Sequence, residues 1–321
     1  MKQTLNAALS SSEMFSHPGY STRDFAGPVY DLIERELSTY LEYQMIRDGR
    51  SSTSQYLHFI DEAGGEPFTT TLTENQRHLV ARFPQSEEAL VDQALERLRS
   101  ARIIHSTSYP KDQFMQFRER VRRTFNHGGY VTFIFPEEER LVFALSQILQ
   151  PKNVLFLGSY YGYWGIWMLP AVMQKHGHAT FVDPNPHTNA VARANLSSLG
   201  FAGCATVVEA EGTHFLQAHP SRSLFDFLLL DAEGPDNAPD PGFRGKRVYF
   251  PLIAKVLPHL SNQATVVTHN ILLQNQFRSP YFDRLITKNA EELQEFVAFT
   301  TRNFSRREVI DTTEGIGVYS V

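Results

Sequence analysis

The segment from Asn153 to Tyr163, NVLFLGSYYGY, constrains the chain more than any other: a short apolar run ends in a glycine-bearing turn. Continuous apolar runs of this length suit a strand buried on both faces of a parallel sheet. The next stretch, Tyr163 to Met168 (YWGIWM), reads as the start of a helix. A strand that passes through a glycine turn into a helix brings backbone close to a nucleotide or nucleoside and aims helix N–H groups at it. Tyr160, Tyr161, Tyr163, Trp164 and Trp167 crowd this turn. Aromatic faces attract positive charge, so the turn suits a ligand carrying a soft cation better than a bare phosphate.

Apolar runs of β type then alternate with helical stretches. Strands are expected at Val154–Leu157, Ala179–Val182, Ala205–Val208, Phe225–Leu230 and Ala264–Thr268, with a closing pair at Glu308–Asp311 and Gly317–Val321. Five strand–helix units and a terminal hairpin imply a mostly parallel sheet with helices on both faces and a ligand at the strand C-termini. Residues 1–127 lack this alternation and read as a helical N-terminal domain, a lid or substrate domain over the α/β domain at 128–321. Val29, Leu32, Ile33, Leu37, Tyr40 and Leu41 recur at helical spacing after Pro28, and Thr73 with Gln76 resembles a capping box. Leu90, Val91, Ala94, Leu95 and Leu98 form one further stripe, and Phe114, Phe117, Val121 and Phe125 another. Residues 49–71 are polar and glycine-bearing, as a loop would be. Pro136 followed by three glutamates opens a helix whose first-turn acids oppose its dipole.

Charge and cysteine content narrow the class. The net charge is −5, without the basic excess of a nucleic-acid binder. Arg118, Arg120, Arg122 and Arg123 lie among acids and read as a solvated helix face. The single cysteine, Cys204, permits no internal disulfide and suits a reducing compartment. The N-terminal residues lack the apolar core of a signal peptide, and the most apolar segment is broken by Pro170 and too short to span a bilayer. A cytoplasmic protein with a small-molecule partner, and neither nucleic acid nor membrane, is expected.

Gly158 and Gly162 bracket the first turn, Asp183 ends the second strand, Glu211-Gly212 follows the third, and Asp231 ends the fourth. A carboxylate at Asp183 would accept hydrogen bonds from both hydroxyls of a ribose. The bland alternative makes it a loop or cap residue beside Pro184 and Asn185.

Residues 128–321 resemble class I S-adenosylmethionine-dependent methyltransferases, closest to O-methyltransferases of the caffeoyl-CoA and catechol type. The resemblance lies in FPEEERLVFALSQILQPKNVLFLGSYYGY, TFVDPNP, VVEAEGTHFL, FDFLLLDAEGPDN and VVTHNIL, in that order. It implies the Rossmann-like seven-stranded class I sheet, with S-adenosyl-L-methionine as cofactor and a possible homodimer. It would place Gly158, Ser159, Tyr160 and Gly162 along the methionine part of the cofactor and Asp183 on the ribose. Pro184 and Asn185 would sit beside the adenosine, Glu211 and Gly212 at the adenine, and Asp231 at the cofactor–substrate junction.

The chain departs from the family pattern at three places. Phe156 stands two residues before the first glycine, where an acid usually anchors the cofactor's amino-acid end. His269-Asn270 replaces the Asp-Asn pair that, with the acid ending strand four, binds a divalent cation in metal-using members. A hard, oxygen-preferring site loses a carboxylate that way, so no metal is expected. The run Asp231-Ala232-Glu233-Gly234 lacks the family's lysine.

His269 is then a candidate general base, with a ligand of a softer metal and a backbone-bonded loop histidine as its alternatives. Asp231 and Tyr160 complete the candidate catalytic set. Asn270, Tyr161 and His127 are candidate substrate contacts, His127 also reading as a surface loop residue. Trp167 is expected in the core.

Three functions fit. The first is methyl transfer to an oxygen or nitrogen of a small molecule, with His269 or Tyr160 removing the acceptor's proton. The second attacks the aminocarboxypropyl carbon of the same sulfonium and releases methylthioadenosine, as in nicotianamine-synthase-like and azetidine-carboxylate-forming enzymes. Phe156 is what raises it. The third is a non-catalytic binding module on the same fold.

Overall fold

The computed structural model describes residues 87–128, 134–219, 224–274, 280–312 and 314–321, together with Leu41, Gln44, Met45 and Arg50. The stripe expected from Val29 to Leu41, its last residue apart, the Thr73–Gln76 capping box and, Arg50 apart, the loop over 49–71 lie outside those residues; Leu41 is helical, as expected, but exposed.

Two amphipathic helices lead. Helix α1 (Glu87–Ser100) buries Val91, Ala94, Leu95 and Leu98, with acids in its first turn and arginines in its last, both favourable to the helix dipole. Helix α2 (Lys111–Thr124) buries Phe114, Phe117 and Val121 at helical spacing, as expected. Helix α3 (Pro136–Leu149) starts at a proline, and Glu138 accepts a hydrogen bond from the backbone N–H of Phe135. The alternating part follows as β1 (Asn153–Leu157), α4 (Leu169–Gln174), β2 (His178–Asp183), α5 (Pro186–Ser198), β3 (Ala205–Glu209), α6 (Gly212–Ala218), β4 (Phe225–Leu230), α7 (Tyr249–Val256) and β5 (Leu260–Thr268). Helices α8 (Pro280–Glu292) and α9 (Gln294–Asn303) precede β6 (Arg306–Ile310) and β7 (Ile316–Ser320).

These strands form one seven-stranded sheet in the order β3-β2-β1-β4-β5-β7-β6. Strands β1 to β5 pair in parallel, and β7 runs antiparallel between β5 and β6. This is the expected Rossmann-like seven-stranded sheet. Each expected strand is present. The largest difference is at β5, which begins at Leu260 and passes a register irregularity against β4 before its regular pairing.

Alternation along the strands sorts the core into two layers. Val154 and Phe156 of β1 and Phe227 and Leu229 of β4 face one cluster, shared with α1, α2, α3 and α5. Leu155, Leu157, Leu228 and Leu230 face the other, shared with α7 and α9. The boundary expected at residue 127 falls just after α2, whose Phe114 and Phe117 pack against Trp167 at ring-centroid distances of 5.8 and 5.4 Å. Strand β1 lies between β2 and β4, so the chain leaves it in opposite directions and a crevice opens at the carboxyl ends.

Three local expectations are corrected. The stretch after the glycine turn is a 3-10 turn, Gly165–Met168, before the short α4; Pro170 in the first turn of α4 lacks the N–H a continuous helix would require. Arg118 is buried rather than solvated: its guanidinium donates to Glu87 at 2.9 Å and to Glu139 at 3.1 Å. The three glutamates of α3 are all buried, and Glu138 and Glu139 serve the tertiary structure as well as the helix dipole.

Candidate functional site

The crevice at the carboxyl ends of β1, β2, β4 and β5 is a cavity of about 1330 Å³. Gly158 carries the chain across its floor at φ 76°. A side chain there is excluded twice: the conformation is left-handed, and a Cβ would stand 2.4 Å from the carbonyl oxygen of Asp231. The turn thus packs against the end of β4. The N–H groups of Gly158 and Ser159 both donate to the carbonyl of Val182, so they hold the turn to β2.

Asp183 organises the next part. One carboxylate oxygen accepts the N–H of Tyr160 at 3.0 Å, and the other accepts the N–H of Asn185 and the hydroxyl of Thr188, each at 3.0 Å. A carboxylate offers about four acceptor positions. The protein fills three, which leaves capacity for one ribose hydroxyl rather than two. The cap reading also holds nearby, because the Asn185 side chain accepts from His187 and Thr188 at the start of α5. Pro184, Asn185, Glu211 and Gly212 line the same cavity.

The opposite wall is a buried charge cluster. Asp231 faces the Lys246 ammonium at 3.3 Å and His269 Nδ1 at 3.5 Å. His269 Nδ1 also meets the side-chain oxygen of Asn270 at 3.1 Å, and Nε2 meets a Glu138 oxygen at 2.9 Å. Glu138 further accepts from Phe135 N–H, from the Thr312 hydroxyl at 2.8 Å and from Glu314 N–H at 3.0 Å. The Asn270 amide donates to Glu314 at 3.1 Å.

Burial alone would lower the pKa of His269, but the charges of Glu138 and Asp231 outweigh it and push the ring up to about 10. The residue is therefore an imidazolium at neutral pH. An imidazolium has no lone pair, so this pairing with Glu138 and Asp231 favours a fixed positive charge at His269 over the general base expected there. Burial likewise raises Asp231, yet Lys246 and His269 hold it well below the ordinary carboxylate range. Burial pushes Glu314 up to about 7, against the pull of His269.

The candidate residues separate clearly. Gly158, Ser159, Tyr160, Tyr161, Asp183, Asp231, His269 and Asn270 line the cavity. Gly162 does not line it; it shapes the turn, its N–H donating to Ser159 at 2.7 Å. His127 does not line it either. It is 5% exposed, and its ring packs against Phe125 and Tyr163, each at 4.8 Å. Both of its roles, substrate contact and surface residue, give way to a place in the core. Trp167 is buried as expected, whereas Trp164 packs beside the His269 ring at 5.1 Å and borders the cavity.

Sequence reasoning missed Glu138, Lys246, Thr188 and Glu314. Glu138 had a signal in the PEEE run, which ordinary helix-dipole chemistry explained away. Among the described residues, no group of three or more His, Cys, Asp or Glu side chains is arranged to hold a metal ion. The positions of Asp231, His269 and Asn270 are closed by contacts to one another.

Residues 155–271 match the family described as methyltransferase domain. A catechol O-methyltransferase of Niastella koreensis is 28% identical over 104 residues, 32% of this chain and 47% of that protein. The chain thus spans about half the length of the curated relative it matches. Among solved structures, the SAH-bound methyltransferase PaMTH1 of Podospora anserina is 16% identical over 74% of this chain and 97% of that one, at a TM-score of 0.49. The O-methyltransferase TomG of Streptomyces achromogenes, in complex with SAM, is 17% identical over 74% and 99%, at 0.42.

Proposed function

For a chain whose residues 155–271 match the methyltransferase-domain family, within a seven-stranded methyltransferase sheet, we propose S-adenosylmethionine-dependent methyl transfer to an oxygen or nitrogen of a small molecule. The carrying observation is convergence: the Gly158 turn, Asp183 and Glu211-Gly212 meet in one cavity with the Asp231–His269–Asn270 wall. Gly158 to Tyr160, Asp183 to Asn185, Glu211 and Gly212 would hold the cofactor. The remaining acceptor position of Asp183 fits a ribose hydroxyl. When bound, S-adenosylmethionine supplies an activated methyl carbon, so the protein's task is to position a nucleophile in line with it.

His269 acts in this reading as a fixed positive charge that lowers the energy of an oxyanion or a carboxylate at the acceptor position. Tyr160 and the Glu314 carboxyl, both on the cavity wall, are the groups placed to take the acceptor's proton. The N-terminal region, residues 1–127, would close over the crevice and select the acceptor. The protein would be cytoplasmic and homodimeric, and light scattering on the purified chain checks the second point.

The second reading, attack at the aminocarboxypropyl carbon, is favoured by Phe156. That residue is buried against Trp164 and Phe181 where the family has an acid, and its ring offers no carboxylate to the cofactor's ammonium. The protein incubated with S-adenosylmethionine alone separates the cases. Methylthioadenosine with a cyclic amino acid supports the second reading. S-adenosylhomocysteine formed only after a hydroxyl or amine acceptor is added supports the first. Binding without either product leaves the non-catalytic module, and no binding by calorimetry rejects every one of them.

A further inference from the structure

Two buried hydrogen-bond donors on the cavity wall have no partner among the described residues: the Ser159 hydroxyl and the Trp164 indole N–H. Both residues line the cavity, at 1% and 2% exposure. Buried donors are almost always paired, so an unmatched pair bordering one cavity marks a place where a ligand or ordered solvent supplies the acceptor. Trp167 carries an unmatched indole too, but it lies off the cavity in the core, packed on the rings of Phe114, Phe117 and Tyr163. Ser159 and Trp164 differ from it in lining the cavity.

The chemistry around them selects the acceptor. Ser159 follows Gly158 in the turn, and Trp164 packs on Phe156 at 6.1 Å and on His269 at 5.1 Å. This is the stretch assigned above to the amino-acid arm of S-adenosylmethionine, and the inference rests on that assignment. The arm has two charged groups. Its ammonium only donates, so it could use the Ser159 oxygen but finds no acceptor in the Trp164 N–H; its carboxylate only accepts and matches both the O–H and the N–H. The nearby imidazolium of His269 adds favourable charge for an anion. We propose that Ser159 and Trp164 hold the cofactor's carboxylate, so that this chain recognises the arm by its carboxylate through neutral donors, in place of an acid gripping the ammonium at position 156.

Calorimetry with three probes tests this: S-adenosylmethionine, decarboxylated S-adenosylmethionine, and methylthioadenosine, which has no amino-acid arm. Ser159→Ala and Trp164→Phe should each weaken S-adenosylmethionine binding by about 10- to 100-fold, the range for a hydrogen bond to a charged group. Methylthioadenosine should bind both variants as it binds the parent, which also shows that they are folded. Decarboxylated S-adenosylmethionine should bind the parent as weakly as the variants bind the full cofactor. Unchanged affinity in both variants, with decarboxylated cofactor binding as well as the full one, overturns the proposal and leaves the cofactor assignment standing. If Trp164→Phe also loses methylthioadenosine, Ser159→Ala decides. If methylthioadenosine and S-adenosylmethionine both fail to bind the parent, the cofactor assignment falls and this inference with it.

Discussion

At the scale of single residues, charge neighbours decide chemistry. His269 has the residue type of a general base, yet with Glu138 at 2.9 Å and Asp231 at 3.5 Å it is held protonated. His269→Leu removes the one charge between two carboxylates and should destabilise the fold by about 3–5 kcal/mol, measured by urea denaturation. The conservative His269→Gln should lose less, because it keeps hydrogen-bonding capacity. The pH dependence follows from the direction of the shift. The folded pKa of about 10 lies above the ordinary 6.5, so the native state binds the extra proton. Its stabilisation is complete below about pH 6.5 and is lost as pH rises through 10. Melting temperature should fall over that window in the parent chain and less steeply in His269→Gln. Asp183→Ala should weaken cofactor binding by about 1.5–3 kcal/mol. It also releases Tyr160, Asn185 and Thr188, so Asp183→Asn separates the lost charge from the lost scaffold. Calorimetry that shows unchanged affinity would remove Asp183 from the ribose site.

At the scale of elements, the helices before β1 are fastened to the sheet by charge as well as by apolar packing. Arg118 of α2 bridges Glu87 of α1 and Glu139 of α3, while Tyr163 from the glycine turn donates to Glu139 at 2.6 Å. Burial pushes Glu139 up to about 7 even beside Arg118. Arg118→Ala should cost about 3–5 kcal/mol in denaturation, since it strands a buried carboxylate. Arg118→Met, which keeps the bulk, should still be destabilising, and pairing it with Glu139→Gln should recover part of the loss. Apolar periodicity made α1 and α2 legible in the sequence, and glycine with alternation made β1 to β5 legible. The same periodicity could not show that Arg118 was buried, because a long charged side chain reads as solvent-facing until its partners are known.

At the scale of the whole molecule, the site is a meeting of local motifs with distant ones. The expected consequence is independence from divalent cations: a chelator should leave turnover unchanged, since the His269 charge occupies the acceptor side. A rate abolished by chelation and restored by magnesium would overturn that. The sequence alone determined the seven strands, their order along the chain and most of the cavity-lining residues from Gly158 to Asp231, because each belongs to one strand and the turn after it. Local spacing fixes such a position whatever the rest of the chain does. Tertiary structure decided the rest. Glu138 reaches His269 across 131 residues and Thr312 across 174, distances over which a linear pattern carries no signal. Whether the ring at position 269 gives or takes a proton depends on which charges the fold brings beside it in a dry interior, and only the closed sheet brings them there.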